Sequence, residues 1–421
     1  MAHRLPISRP PRRLIRHSRE RLTLTALAAA LTVAFSLGAA GRLAAEPQVR
    51  TFRQSFPVAP GAELRLANLA GQVELVAGTG NQVVVDATVH AEASGSAETL
   101  RLVQEMRWVQ AKDAKGRDEW ALAYPIDRHH SFFYPQPRGR DESTFWSFFD
   151  SSSSSTTYRG ERVRIYTGRH SSSPTLYADL RISVPAASVL ALRNVVGKVH
   201  GDALAGSLTI DTGNGDINLA AYSGQLRLDT GSGDVTLGVS RGETSIDTGS
   251  GDVVVRQLVG NASIDTGSGD VRIERVEAGR LGIHTASGDV TVRDGAASSF
   301  TVHTSSGGVR VSGVDSEELT AGTGSGDVRV TSALGHTRRL TARTGSGDIT
   351  IVAAAADTFD LSAHQGSGDL SVGYHDAVLR RAAHREKVVG AHRGDGRTVI
   401  EITTGSGDCV LRPRGSGGSA D

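Results

Sequence analysis

The chain has 421 residues, room for two or three compact domains or one elongated one, with 50 glycines and near-balanced charge, 46 Lys and Arg against 45 Asp and Glu. Its single cysteine, Cys409, excludes an intramolecular disulfide framework, so stability has to come from packing. The glycines recur with a period, which points to a repeat architecture and away from a disordered tract.

The N-terminus reads as a targeting segment. Residues 1–21 carry Arg4, Arg9, Arg12, Arg13, Arg16, Arg19 and Arg21, an apolar stretch runs from Leu22 to Ala40, and small residues offer cleavage after Ala40 or Ala45. That is the order of a secretory signal, residues 1–45. The apolar part is also about as long as a minimal membrane span, so an uncleaved anchor is the alternative. Arg12-Arg13 followed by Leu14-Ile15 is an incomplete twin-arginine pattern. Losing residues 1–45 removes eight basic residues and one acidic, leaving 38 against 44, a net of −6. A mildly acidic mature chain is a poor partner for nucleic acid.

Residues 46–92 hold a first β segment, with an isolated repeat at Ala70-Gly71-Gln72-Val73. From 93 to 178 the repeat lapses. Ser96 is placed to N-cap a short helix over Glu98–Gln104, and 106–110 with 119–124 read as a hairpin turning at 113–116. A long loop follows with Phe132, Phe133, Tyr134, Phe145, Trp146, Phe148 and Phe149. Residues 108–177 hold 13 of the chain's 20 aromatics, so this segment is chemically unlike the rest. These rings either cap an open solenoid end, which would otherwise expose unpaired backbone, or face a glycan or protein partner.

The region 179–411 is dominated by GSGD or close variants ending at Asp216, Asp234, Asp252, Asp270, Asp289, Asp327, Asp348, Asp369 and Asp408, with a degenerate copy ending at Gly308. The steps are 18, 18, 18, 19, 19, 19, 21, 21 and 39 residues, the last fitting about two coils, one of them remodelled. In 262–273, Ala262, Ile264 and Thr266 alternate with polar residues as in a half-buried strand. Gly267-Ser268-Gly269-Asp270 is a tight turn, and Val271 and Ile273 begin a second strand. The same turn glycines recur at Gly213, Gly215, Gly231, Gly233, Gly249 and Gly251.

Apolar columns hold across coils. One reads Ile210, Leu228, Ile246, Ile264, Ile283, Val302; a second runs from Ile217 through Val235, Val253 and Val271 to Leu370; a third from Leu219 to Val372. Thr212, Thr230, Thr248, Thr266, Thr285 and Thr304 form an inward hydroxyl ladder. The pattern predicts an all-β, single-stranded parallel β-helix, about 50 Å of coils at ~4.8 Å each, with a smaller β-rich insertion. A basic insertion over 373–398 reads as a solvated hairpin, and 412–421 as a disordered glycine- and serine-rich tail.

These repeats, with Phe56-Pro57-Val58-Ala59-Pro60-Gly61 before Leu64-Arg65-Leu66 and Leu180-Arg181-Ile182-Ser183-Val184-Pro185 before the coils, resemble the bacterial "putative adhesin" family, which carries a β-helix domain of unknown function. The resemblance covers about 56–411. It implies a right-handed β-helix similar in fold to pectate lyases, without an active site, and its name implies adhesion; fold is carried much further than function.

Four chemical readings follow. Stacked Asp216, Asp234, Asp252 and Asp270 suggest calcium, but each aspartate directly follows the second glycine and only one turn per coil has the motif, unlike calcium β-rolls. The plainer role is accepting turn amides. Asp211, Asp229, Asp247 and Asp265, continued by His284, His303 and later His364, form an outward column better read as a solvated face than as a metal site. Catalysis lacks support: the repeated aspartates share one environment, so nothing separates an acid from a base, and no nucleophile elbow or zinc signature occurs. Cys409 stands in an inward apolar column and reads as a small hydrophobe.

The expected function is therefore a non-catalytic, exported, adhesin-like β-solenoid that binds or scaffolds in the bacterial envelope, needing no cofactor. Its partner would be an envelope protein or glycan, with the membrane itself involved only through an uncleaved N-terminal segment. The alternative is a periplasmic structural or regulatory envelope protein with membrane-protein partners. A calcium β-roll or a polysaccharide-acting enzyme trails both.

Overall fold

The computed structural model describes residues 46–415 apart from 60, 136–152, 168–171, 187 and 383–386. Residues 1–45, for which a secretory signal is expected, Phe145, Trp146, Phe148, Phe149 and all but the start of the C-terminal tail lie outside the described residues. Among the described residues the chain is nearly all β, with one helix, and its strands stack in parallel as the coils of a single-stranded β-helix.

Each coil pairs residue for residue with the next. Val199–Asn214 pairs in parallel with Ile217–Ser232, setting Ile210 against Leu228 and Thr212 against Thr230. The register continues through Val235–Ser250 and on to Val309–Ser325. All six side chains of the first apolar column are fully buried, as are the six threonines to within a few per cent. This is the physical content of the repeat: a side chain alternating inward meets its own equivalent one coil away. Thr212 Oγ1 donates to Thr230 Oγ1 at 2.8 Å. The ladder begins with two buried amides, Asn68 Nδ2 donating to Asn194 Oδ1 at 3.0 Å.

The turns leave no room for a side chain. Gly251 has φ +157°, and a Cβ there would lie far inside contact distance of the Gly233 carbonyl. The amide of Gly251 donates to Ser268 O at 2.9 Å, so its backbone is held on both sides. A second glycine column, Gly206, Gly224, Gly242 and Gly260, sits at positive φ at the opposite corner of the coil.

The first coil comes from far upstream. Glu63–Ala70 pairs with Val189–Val196, and Val73–Gly78 with the strand from Val199, so the isolated Ala70-Gly71 copy stacks in register with Val196-Gly197. The outer edge of Val73–Gly78 is covered by Thr175–Pro185, which pairs antiparallel with Gln82–Glu92, and that strand pairs with Gln48–Pro57. The hairpin Trp108–Lys112 and Asp118–Leu122 forms as expected and sets Trp120 against Leu66. The helix spans Ser96–Glu105, starting two residues earlier and ending one residue later than expected. Its N-cap is Gly95 in extended conformation with no side-chain cap, so Ser96 is the first helical residue and not the cap.

At the other end the order of coils in space departs from the order in the chain. Ile349–Ala353 pairs with Cys409–Pro413, and Leu370–Val372 pairs with the other edge of that same strand. Thr398–Thr404 likewise lies between Arg339–Thr344 and Phe359–Gln365. The chain thus builds its outer coil first, turns through the hairpin Val378–Arg381 and Val388–Arg393, and returns to fill the gap. The 39-residue step holds that hairpin and a returning coil; Asp408 stacks between Asp348 and Asp369, not beyond them. Val388–Arg393 pairs antiparallel with Phe359–Gln365 and covers its open edge.

Because the Gly251 contact is with backbone on a neighbouring coil, nothing flexible can give way. Gly251→Ala is expected to destabilise the chain by about 3 kcal/mol, read as a lowered urea midpoint. An unchanged midpoint would show that the turns are not tightly stacked.

Candidate functional site

The turn aspartates form a hydrogen-bonded file. The amide of Asp252 donates to Asp234 Oδ1 at 2.9 Å, that of Asp270 to Asp252 Oδ1 at 2.8 Å, and that of Asp289 to Asp270 Oδ1 at 2.8 Å. The file runs on through Asp327–Asp348, Asp348–Asp408 and Asp408–Asp369. At its N-terminal end Asp216 Oδ2 meets Lys198 Nζ at 2.9 Å, and Asp179 Oδ1 accepts the amide of Gln72 at 2.8 Å. One carboxylate oxygen per turn is therefore committed to the next coil's backbone. That places these residues in the structural role, where a carboxylate satisfies an amide the strand ladder cannot reach. The file has one gap, at Gly308, whose amide donates to Asp289 Oδ1 at 2.7 Å but which offers Asp327 no carboxylate.

The outward column is also assembled: Asp211, Asp229, Asp247, Asp265, His284 and His303 are consecutive partners in register. It begins at Arg193, paired with Asp211. No three His, Cys, Asp or Glu side chains among the described residues converge as a metal-ligand group. Burial pushes the Asp229 carboxyl above its ordinary value, reinforced by Asp211 and Asp247 and opposed by Arg227 and Lys115. Cys409 is fully buried, and burial raises its thiol to about 11, so it packs as a small hydrophobe among the column residues.

The aromatic segment divides. Phe132 and Tyr134 are 0% and 2% exposed, which corrects the expectation that they face a partner; Phe133 between them is half-buried. The reason is alternation on Ser131–Phe133, which sends Phe132 inward against Tyr124 at 5.6 Å between ring centroids. Tyr158 stacks edge-on against Tyr124, and its hydroxyl lies 3.0 Å from Ala67 O and 2.9 Å from Leu122 O. Tyr124 Oη lies 2.9 Å from Asn68 Oδ1, at the start of the buried polar ladder. These rings close the first coil, where stacking has no further coil to use. Burial raises the Tyr124, Tyr134 and Tyr158 hydroxyls well above the ordinary phenol range, as expected of groups that serve packing.

One feature escaped the sequence reading. A cleft of about 350 Å³ opens between the 108–122 hairpin, the turn at Arg159-Gly160 and Arg193 of the second coil. Glu119 lines it, 6% exposed, with its carboxyl raised chiefly by burial and lowered in part by Arg193. The available signal was parity: in Asp118-Glu119-Trp120-Ala121-Leu122 the glutamate shares its face with Ala121, which is fully buried.

The Toastrack DUF4097 family model matches residues 242–412, the coils downstream of that cleft. Solved structures to which the chain is similar include one described as a putative lipid binding protein from Parabacteroides distasonis ATCC 8503, 10% identical over 87% of this chain and 96% of that one, TM-score 0.30. Another is described as a putative adhesin from the same organism, 11% identical over 86% and 97%, TM-score 0.29. A third, described as a putative cell adhesion protein from Clostridium sporogenes ATCC 15579, is 9% identical over 87% and 100%, TM-score 0.16. At such scores the likeness carries no argument. No curated protein matches the sequence.

A carboxyl raised in the folded state favours the protonated chain. Asp229 therefore costs stability at pH values above its folded-state value and nothing below its ordinary value of 3.8. Asp229→Asn is expected to raise Tm by about 1–2 °C at pH 7 and to leave it unchanged at pH 3. A lower Tm at pH 7 would mean that the aspartate is stabilised where it stands.

Proposed function

We propose that the chain is a non-catalytic, adhesin-like binding or scaffolding module of the bacterial envelope, exported by its N-terminal segment and working in the periplasm or at the cell surface. The observation that carries this reading is the sameness of the turn carboxylates. From Asp234 to Asp289 each turn repeats one hydrogen bond, from a turn amide to the carboxylate one coil earlier. Acid–base catalysis needs two groups in unlike surroundings, and a file of equivalent groups does not supply them. What the coils do supply is long, regular outward columns fixed by backbone pairing, a geometry suited to contacts spread over many side chains. Export is supported by the arginine-rich, apolar and small-residue order of residues 1–45. The partner on this reading is an envelope protein or glycan.

The test is protease accessibility on cells producing the chain, followed by immunoblot. Digestion on intact cells is the expected outcome for surface display. Protection until the outer envelope is opened osmotically would move the chain to the periplasm and favour a scaffold with membrane-protein partners. Protection until the cytoplasm itself is released would overturn export, and with it the proposal.

A further inference from the structure

We infer that the cleft beside Glu119 binds an acidic sugar, a hydroxylated ring carrying a carboxylate. Glu119 sits on the hairpin strand Asp118–Leu122 opposite Ala111, with little of its surface exposed, and among the described residues its carboxylate has no hydrogen bond and no ion pair. Its oxygens are not among the buried side-chain atoms that lack a partner, so the carboxylate opens onto the cleft and is free to accept hydrogen bonds there. The cleft is at the lower end of the range that small ligands occupy, about 300–1,000 Å³, and close to the size of one or two sugar rings.

The charges around it define the occupant. Lys112 is neutralised by Asp118, Nζ to Oδ1 at 2.6 Å, and Asp113 by Arg117, 2.7 Å from its Nε. Two guanidinium groups form no ion pair among the described residues, although Arg193 is near enough to Glu119 to draw its carboxyl down. Arg193 donates only to neutral acceptors, Thr156 Oγ1 at 2.9 Å and Thr157 O at 3.2 Å. Arg159 has a single long contact, 3.5 Å to Tyr124 O. The open positions are thus two planar cations and one carboxylate. The cations suit a carboxylate ligand held in bidentate fashion. The glutamate needs neutral donors, because an ammonium in the same cleft would stand among the guanidiniums. Adjacent hydroxyls on a ring that also bears a carboxylate meet both requirements.

Arg159 gives independent support. It stands at φ 49°, followed by Gly160 at φ 84°, in the two-residue turn joining Ser153–Tyr158 to Glu161–Tyr166. Such turns favour Asn or Asp at the first position. A long cationic side chain held there against backbone preference, at the mouth of a cleft, is strain of the kind that marks a site. The cleft lies outside residues 242–412, so the inference concerns this chain's own insertion and stands apart from the surface-display reading, which the protease experiment tests separately.

The experiment is isothermal titration of the purified full chain with D-glucuronate, D-glucose and acetate. Saturable binding of glucuronate is expected, at least tenfold tighter than glucose, which lacks the anion, or acetate, which lacks the hydroxyls. Glu119→Met and Arg159→Gly should each weaken glucuronate at least tenfold. Arg159→Gly suits the turn, so its fold is retained, and Glu119→Met removes a buried charge and should raise Tm while binding falls. Failure of glucuronate to saturate at tens of millimolar would overturn the inference. So would acetate binding equally well, or an affinity that Arg159→Gly leaves unchanged.

Discussion

From Asp234 to Asp289 the amide of each turn aspartate donates to the carboxylate one coil earlier, and the glycine before it lies flat against the backbone of the previous turn. With that contact in place the strands on either side have no freedom of register, because a one-residue slip would turn every inward column outward. The burial of the apolar columns and of the threonine ladder follows from it. Local chemistry and global stacking agree at every coil, the consistency that makes a repeat fold specify itself.

A stack held together this way has its weakness at its two ends, and the chain closes them differently. Upstream, antiparallel strands and the Tyr124, Phe132 and Tyr158 rings close the first coil, with Tyr124 seated on the Asn68 amide that starts the polar ladder. Downstream, the outer coil is laid down before its neighbour, and the segment 398–413 returns to fill the gap. The last coils are therefore interleaved, and the hairpin Val378–Arg381 and Val388–Arg393 covers the edge left over. The same upstream closure borders the cleft, which opens between the 108–122 hairpin, the Arg159-Gly160 turn and Arg193.

The coils were legible in the sequence because one coil predicts the next: inward parity, turn glycines and threonines recur together, and even the isolated Ala70-Gly71 copy falls in register. The order of the last coils was not. Every coil carries the same signal, so the period assigns residues 398–411 to a coil without saying which neighbours it has. The aromatic segment was legible as unusual and no more. Phe132 and Phe133 are adjacent and alike in composition, and only strand alternation sends one inward. Glu119 went unread because an acidic residue at an inward position of a short hairpin looks like an ordinary surface residue until its neighbours are in place.

Amide hydrogen exchange, resolved residue by residue, tests the stacked file most directly. The amides of Asp252, Asp270 and Asp289 each have a carboxylate acceptor on the preceding coil, whereas Asp327 faces Gly308 and has no carboxylate there. The first three should be protected to the level of the inward strands, and Asp327 should exchange markedly faster. Equal, rapid exchange at all four, with the strands alone protected, would contradict the account and leave the turns as solvated loops between independently stable strands.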